Sequence, residues 1–401
     1  MAKKLLTFYF SIITIEKFFM SFFFAIYAIF LKSLGLDEFE MNMVNASFML
    51  SVIILEIPTG VIADVFGRKI SYTLSIVFLG ISTIIYYFAT NIYTAILAEI
   101  FGAFAITFSS GAIDAWLVDS LKFYKWQGDL NDLFSTENKV IIIAITFGAL
   151  IGSYVGEFDI HLPWLISAVG LFVLAIFVGI FMKEEYFIKK INNRKNIINE
   201  SINIFGSTFL DGWQFIKQRK HIQTIMMVGC FFSLACQPLN MYWSLAINNY
   251  TDSYTSLGWV WVGISIFGFI GIEAFNRLKK VKIFNLIFTL LMLNGLVIIL
   301  MSMDKGLSWV IAWLLIHESL RYAFRPMKKA YLQSSFTKEI RATLGSFDSM
   351  AEKIGATIGL LFFGLMAKLF SIEISWLFSG VTFCLLATLM IFFRKNLKPV
   401  K

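Results

Sequence analysis

The chain has 401 residues, of which 58% are hydrophobic and 15% are charged, and its mean hydropathy is +0.76. This composition excludes a water-soluble globular protein, because a domain of this length cannot hide so much apolar surface from water. The 44 Phe residues are spread along the whole chain, as expected for a bundle of helices in a bilayer. The formal net charge of +8 comes from basic residues between apolar stretches, which indicates membrane topology and argues against a nucleic-acid partner.

Windows of about 20 apolar residues predict membrane-spanning helices along the chain. The first window begins at Leu5 and is too long for the core of a signal peptide, so we interpret it as a spanning helix. The sequence predicts an all-α membrane protein with twelve transmembrane helices in two pseudo-symmetric six-helix bundles. The predicted spans are 6–31, 41–63, 70–90, 93–117, 139–157, 162–182, 222–247, 255–276, 283–302, 307–326, 347–369 and 374–393.

Lys and Arg concentrate in alternate connections between these spans. Arg68 and Lys69 lie in one such connection, whereas Asp37 and Glu157 lie in connections of the opposite parity. Because short cytoplasmic loops retain positive charge, this pattern predicts that both termini are cytoplasmic.

The longest connection, 183–220, predicts a boundary between an N-terminal bundle, 1–182, and a C-terminal bundle, 221–401. Apolar residues recur in it at three- and four-residue steps, which predicts an amphipathic helix on the membrane surface. These residues are Ile198, Ile202, Phe205, Phe209, Trp213 and Ile216.

A short segment between the second and third spans, 56–69, reads EIPTGVIADVFGRK. Gly60 permits close helix approach, and Gly67 permits a tight turn. Asp64 can pair with Arg68 at the membrane face. The segment resembles the signature loop of the major facilitator superfamily, with Val65 where many members carry a basic residue. The resemblance implies a conformational lock in which Asp64 and Arg68 meet an acid at the cytoplasmic end of the fourth span, here Asp119. Gly60, Gly67 and Lys69 belong to the same motif.

Together with the run Gly111 to Trp116, the same segment resembles bacterial drug-efflux members of the tetracycline and macrolide kind. Small residues in the fifth span resemble the antiporter signature of that superfamily, with a serine where a proline is expected. Spacing of four residues between small side chains is also common in any packed membrane helix. The antiporter-like residues are Gly148, Gly152, Ser153 and Gly156.

Ionisable residues inside predicted spans are expected to be functional, because burying them costs at least a few kcal/mol. Glu16, near the middle of the first span, is our first choice for a proton-coupling carboxyl; a structural Glu–Lys contact between neighbouring helices is the alternative. Asp114, Glu99 and Glu318 are further candidates. By helical rise Glu99 and Asp114 would be about 22 Å apart, so we expect them in separate sites.

Candidate residues of a substrate cavity lie in the seventh and tenth spans. Arg321 is one helical turn from Glu318, so the two can neutralise each other. His317 is either a proton relay or a hydrogen-bonding residue between packed helices. Polar and aromatic candidates near Pro238, a possible flexible point, are Gln237, Asn240, Tyr242 and Trp243.

The three cysteines lie inside apolar runs without metal or redox spacing, so we predict no metal site and no cofactor. We find no phosphate-binding loop and no nucleophile–base set, so we do not expect an enzyme. The resemblance implies a monomeric secondary transporter of the bacterial cytoplasmic membrane, driven by protons and exporting amphiphilic drugs or related lipophilic compounds. Alternatives are proton-coupled uptake of a small solute and a membrane receptor or scaffold that no longer transports.

Overall fold

The computed structural model describes residues 2–185, 212–278, 282–335 and 341–395. These residues form α-helices joined by short turns, and the described part of the chain contains no strand. The helices are α1 Ala2–Met20, α2 Tyr27–Ser33, α3 Glu38–Phe66, α4 Arg68–Tyr87, α5 Ile92–Ser109, α6 Ala112–Phe123, α7 Leu130–Gly156, α8 Leu162–Phe181, α9 Lys220–Thr251, α10 Tyr254–Arg277, α11 Ile283–Ser302, α12 Leu307–Ser335, α13 Arg341–Leu369 and α14 Ile372–Phe392. The predicted all-α class is confirmed.

Ten helical stretches of the described chain are long and apolar enough to cross a membrane. Helix α8 illustrates the environment, because it is apolar on all sides: Trp164 and Leu171 are buried, whereas Val173 and Ile176 are each more than 60% exposed. Two of the predicted spans, in α1 and α12, are not among the ten, since both helices carry several charged residues. The count of twelve stays a prediction.

The first predicted span, 6–31, is not one continuous helix. Helix α1 ends at Met20, residues 21–26 form turns, and α2 begins at Tyr27. Backbone bonds across the turns are short-range, for example from the amide of Phe24 to the carbonyl of Ser21 at 3.0 Å. A window average cannot detect such a break, because the intervening residues are as apolar as the helices.

The fourth predicted span, 93–117, is also broken, and the fifth begins earlier than predicted. Gly111 separates α5 from α6 with a φ of +69°, a left-handed conformation that glycine adopts without strain. Helix α7 begins at Leu130 rather than at 139, and the Asp129 side chain caps it by accepting from the amide of Asn131 at 2.7 Å. The extension adds a polar first part to a membrane helix.

Contacts between Cα atoms divide the chain into two compact units. Unit 1 comprises Met1–Gly35, Ser51–Asn203 and Ser253–Trp261. Unit 2 comprises Leu36–Leu50, Ile204–Asp252 and Val262–Lys401. In unit 1, α4 packs on α5 and α8, and α1 packs on α7 and α8. In unit 2, α9 packs on α13 and α11 packs on α14.

The predicted division at 183–220 stays a prediction. Most of the predicted amphipathic helix, 186–211, falls outside the described residues. The described end of the connection is helical at 212–217, and in unit 2 the ring of Trp213 lies 6.3 Å from that of Phe347.

The predicted small-residue face of α7 contacts α1 at very short range in unit 1. A Cβ atom built on Gly148 would overlap the carbonyl of Phe18, and one built on Gly152 would overlap the backbone of Phe22. Gly156 meets the side chain of Ile26 in the same way. The absent side chains therefore let the two backbones touch where α1 unwinds.

We predict that Gly152→Ala destabilises the protein, because the added methyl group must displace the Phe22 backbone; overpacking of this kind costs about 1–3 kcal/mol. Gly60→Ala, in α3, is the matched control. Open space surrounds the position of its Cβ, so this change leaves stability unchanged or raises it slightly. Thermal unfolding of the two purified variants in detergent measures the difference, and equal midpoints would contradict the packing argument.

Candidate functional site

Glu16 is a buried carboxylate at the end of α1, with 4% of its surface exposed. Its Oε2 accepts a hydrogen bond from the Tyr72 hydroxyl of α4 at 2.5 Å, and Tyr72 is fully buried. Its Oε1 lies 2.6 Å from the ammonium of Lys17. The acid thus has one neutral and one cationic partner, five residues before the turns that interrupt the first span.

A second group of acids lies in unit 1 around Tyr9, which is fully buried. Its hydroxyl donates to Oδ1 of Asp114, in the first turn of α6, at 3.3 Å. Glu137 of α7 interacts electrostatically with Tyr9, Asp114 and Lys17. Glu137 is 9% exposed, and its buried Oε2 has no hydrogen-bond partner among the described residues.

Glu137 was absent from the sequence-based candidates because the fifth span was predicted to begin at 139. A usable signal was present: Leu133, Glu137, Ala144, Gly148 and Gly152 follow the spacing of one helix face and are all buried. An acid on the same face as packed glycines points towards neighbouring helices rather than towards lipid.

Glu99 of α5 hydrogen-bonds to tyrosines other than Tyr9, the tyrosine that donates to Asp114. Its Oε1 accepts hydrogen bonds from the hydroxyls of Tyr27 at 2.7 Å and Tyr86 at 2.6 Å. Trp164 stacks on Tyr86, with ring centroids 4.2 Å apart. The break at Gly111 also means that a continuous helical rise does not describe the separation of Glu99 and Asp114.

In unit 2, Glu318 and Arg321 form the predicted one-turn ion pair. Oε2 of Glu318 lies 2.5 Å from Nη2 and 2.7 Å from Nε of Arg321. Nη1 of Arg321 donates to Oδ1 of Asn240 in α9 at 3.2 Å, which joins two of the predicted cavity helices. His317 is fully buried, and neither ring nitrogen has a hydrogen-bond partner in the described part of the chain.

The other predicted cavity residues occupy packed positions within unit 2. Gln237 is buried and donates to the carbonyl of Ser233 at 2.7 Å, one turn earlier in α9. Tyr242 is fully buried, and its hydroxyl donates to the carbonyl of Glu38 at 3.2 Å. Trp243 is 6% exposed. Their role in binding a substrate stays a prediction.

A buried lysine cluster, which was not predicted, joins α12 to α13. Lys328 is 2% exposed, and its ammonium lies 2.7 Å from Oδ1 of Asp348 and in contact with Glu352. Gly229 of α9 leaves room for this ammonium, because a Cβ there would overlap Nζ. In the described part of unit 2, Glu318, Asp348 and Glu352 thus pair with two permanent cations, Arg321 and Lys328.

The signature segment has the expected turn. Gly67 has a φ of +97°, which favours glycine, and directly precedes α4. Gly60, in contrast, is exposed with open space at its Cβ position, so the described residues provide no close helix contact there. The side chain of Asp64 lies outside the described residues.

The carboxylate found at the start of α4 belongs to Glu184, just after α8. The amide of Arg68 donates to its Oε1 at 2.9 Å and the amide of Lys69 to its Oε2 at 3.1 Å. The predicted lock acid, Asp119, lies 3.8 Å from Lys122 on its own helix. Glu184 thus satisfies two amides that a helix terminus leaves without partners.

Comparisons with known proteins agree with this architecture. A family model described as Major Facilitator Superfamily matches residues 9–324. The chain is similar to the uncharacterized MFS-type transporter YxaM of Bacillus subtilis (strain 168), with 23% identity over 364 residues that cover 88% of this chain and 87% of the relative.

Solved structures of similar fold include the nucleoside transporter NupG, with a TM-score of 0.77 and 15% identity, covering 97% of this chain and 99% of that one. A POT family transporter in complex with 5-aminolevulinic acid has a TM-score of 0.74 and 14% identity, covering 98% and 96% of the two chains. At such identities the similarity concerns the fold alone.

We predict that Glu184→Ala destabilises the start of α4 by about 1 kcal/mol, the usual contribution of an anionic cap at a helix N-terminus. Glu185→Ala is the matched control, since Glu185 hydrogen-bonds the exposed Tyr124 hydroxyl instead. Hydrogen exchange of the amides at 68 and 69 should accelerate in the first variant only. Unchanged exchange in Glu184→Ala would contradict the capping role.

Proposed function

This chain belongs to the Major Facilitator Superfamily and is a multi-pass membrane transporter, and we propose that it exports amphiphilic drugs or related lipophilic compounds in exchange for protons. The observation that carries the proposal is the environment of Glu16. A carboxyl group that must gain and lose a proton during transport needs burial together with partners that tolerate both of its forms.

The contacts of Glu16 meet this requirement. When Glu16 is ionised, Tyr72 and Lys17 both donate to it. When it is protonated, the Tyr72 oxygen can accept its hydrogen, whereas Lys17 loses an anionic partner. Protonation therefore changes the charge presented beside the break in the first span.

The position of Glu16 supports a link between protonation and transport. Interrupted helices in secondary transporters line substrate and ion sites near the middle of the bilayer. The interruption at 21–26 lies one turn beyond Glu16 and is held against the glycines of α7. A change of charge at Glu16 thus acts next to the turns at 21–26, where the first span is not helical.

Aromatic side chains around the interruption support a lipophilic substrate. The rings of Phe18 and Phe22 are 5.1 Å apart, and that of Phe24 lies 5.7 Å from Trp261. The export direction rests on the likeness of the signature segment and of the α7 glycines to those of drug antiporters. The same proposal places both termini in the cytoplasm, as the distribution of Lys and Arg predicts.

A second candidate function is proton-coupled uptake of a small polar solute. It is favoured by the group formed by Arg321, Glu318 and Asn240 in unit 2, because a guanidinium with free donor capacity can bind a carboxylate or carbonyl group. The names of two similar structures, a nucleoside transporter and a POT family transporter, point in the same direction.

We expect amphiphilic drugs to collapse a proton gradient in inverted membrane vesicles that contain the wild-type protein, and Glu16→Gln to abolish this response, because the amide cannot carry the proton. Glu273→Gln is the control, since Glu273 forms an exposed ion pair with Arg277. Fluorescence of a pH-sensitive dye records the gradient.

Loss of the response in Glu16→Gln with retention in Glu273→Gln supports antiport through Glu16. A normal response in Glu16→Gln contradicts this role. A wild-type protein that responds to no drug and accumulates no solute would instead favour the receptor or scaffold alternative.

The uptake candidate predicts that cells accumulate a labelled nucleoside or dipeptide in a gradient-dependent manner, and that Arg321→Lys raises its KM at least tenfold, because lysine lacks the planar fork of donors. Arg277→Lys, at an exposed pair, is the control. No accumulation by the wild-type protein, or equal KM values for both variants, would exclude this function for Arg321.

A further inference from the structure

We propose that unit 1 binds an anionic phospholipid in a cavity formed by the start of α1 and the ends of α6 and α8. The phosphate group lies between Lys4 and Lys183, and an acyl chain lies along the aromatic side chains of the cavity. None of the residues that hold Glu16 takes part. The inference therefore goes beyond the proposed export, and its test requires no transport.

The cavity has a volume of about 350 Å³, which lies within the range of ligand pockets. Its lining includes Trp116 of α6, which is 1% exposed, and Phe8 of α1, which packs edge-on against Trp116 with ring centroids 6.1 Å apart. The indole nitrogen of Trp116 donates to the carbonyl of Lys183 at 2.8 Å. This bond holds the segment after α8 against α6, so three parts of unit 1 keep the cavity in shape.

Two aromatic residues of the lining leave much of their rings uncovered. Phe123 ends α6 and is 50% exposed, and Phe181 ends α8 and is 57% exposed. Helix α8 is apolar on all sides, so the ring of Phe181 lies at a surface that acyl chains reach. An acyl chain covers such rings, whereas a small water-soluble anion leaves them uncovered. The exposed rings therefore favour a lipid over a free phosphate compound.

The polar part of the lining provides two positive charges. Lys4 and Lys183 are both exposed, and neither ammonium forms an ion pair or a hydrogen bond with any residue of the described chain. Lys122, near the same end of α6, instead lies 3.8 Å from Asp119. Basic pockets between membrane helices bind the headgroups of anionic lipids. The two lysines of the lining are thus available for a phosphate group.

A buried hydroxyl group adds a donor inside the cavity. Ser120 lines the cavity and is 4% exposed, and its Oγ has no hydrogen-bond partner among the residues that the structure describes. Glu185 is the single acid of the described lining, and its Oε2 already accepts from the Tyr124 hydroxyl at 2.8 Å. Two lysines and one glutamate leave the lining positive, and its unused donors match the acceptor oxygens of a phospholipid.

Native mass spectrometry of the purified full-length protein in detergent tests the proposal. The ligands are phosphatidylglycerol, phosphatidylcholine with the same chains, and glycerol 1-phosphate. We expect the wild type to bind phosphatidylglycerol about tenfold more tightly than either of the others. Lys4→Gln and Lys183→Gln should each weaken its binding about fivefold, the usual contribution of one lysine to binding an anionic membrane surface. Lys139→Gln, at an exposed lysine of α7 outside the cavity, is the matched control.

Two further variants separate the roles of charge and space. Glu185→Gln removes the acid of the lining and should tighten the binding of phosphatidylglycerol. Ser120→Leu keeps every charge but fills part of the cavity and should weaken that binding. Thermal unfolding checks that each variant is folded, and the exposed lysine variants decide the question if Ser120→Leu is not.

Three results would overturn the proposal. The first is equal affinity of the wild type for phosphatidylglycerol and phosphatidylcholine, which would exclude recognition of the charge. The second is equal affinity for phosphatidylglycerol and glycerol 1-phosphate, which would indicate a site for a free anion. The third is the same affinity for phosphatidylglycerol in Lys4→Gln, Lys183→Gln and Lys139→Gln, which would place the lipid elsewhere.

Discussion

Direct backbone contact between α1 and α7 determines most of what is unusual in unit 1. The absence of side chains at Gly148 and Gly152 lets the backbones of Phe18 and Phe22 approach α7. Phe18 meets Gly148 and Phe22 meets Gly152, so the two contacts follow the same order along both segments. The segments therefore run parallel, and the numbers of facing residues differ by about 130. Carried back about three turns, this register brings Thr7 level with Glu137, and Tyr9 lies two residues from that level. The contacts at Gly148 and Gly152 therefore help to bring Tyr9 and Glu137 together, although both of these residues lie about three turns away.

The two units differ in the partners that their helices provide for acidic side chains. In unit 2 the partners are Arg321 and Lys328, which favour only the ionised carboxylate. In unit 1 the recurrent partner is a tyrosine hydroxyl, which can donate to a carboxylate or accept from a carboxylic acid. Exchange of protons is chemically natural beside the tyrosine hydroxyls of unit 1 and is opposed by the permanent cations of unit 2. The unit 1 pairs are Tyr72 with Glu16, Tyr9 with Asp114, and Tyr27 and Tyr86 with Glu99.

The sequence was sufficient for the features that composition and local chemistry determine. Hydropathy predicts the all-α class, and a glycine in a polar connection predicts the turn at Gly67. The breaks at 21–26 and Gly111 were not predictable from averages over about 20 residues, since the flanking residues remain apolar. Glu137 was missed because the apolar window of the fifth span begins at 139, whereas helix α7 begins at Leu130. Glu184 was missed because its partners are backbone amides, which a search for charged side chains does not consider.

The contact of Glu184 also changes how the signature segment can be understood. The motif draws attention to the side chains of Arg68 and Lys69, but their amides already bind a carboxylate from the end of α8. Those amides point outwards because Gly67 turns the chain with a positive φ immediately before α4. Any other residue at 67 would be strained there, and the carboxylate would lose its site. The glycine is therefore required for an anion-binding helix terminus as well as for a tight turn. This requirement is independent of the residue at 65, so the departure from the family pattern at Val65 leaves the tie between α4 and the end of α8 intact.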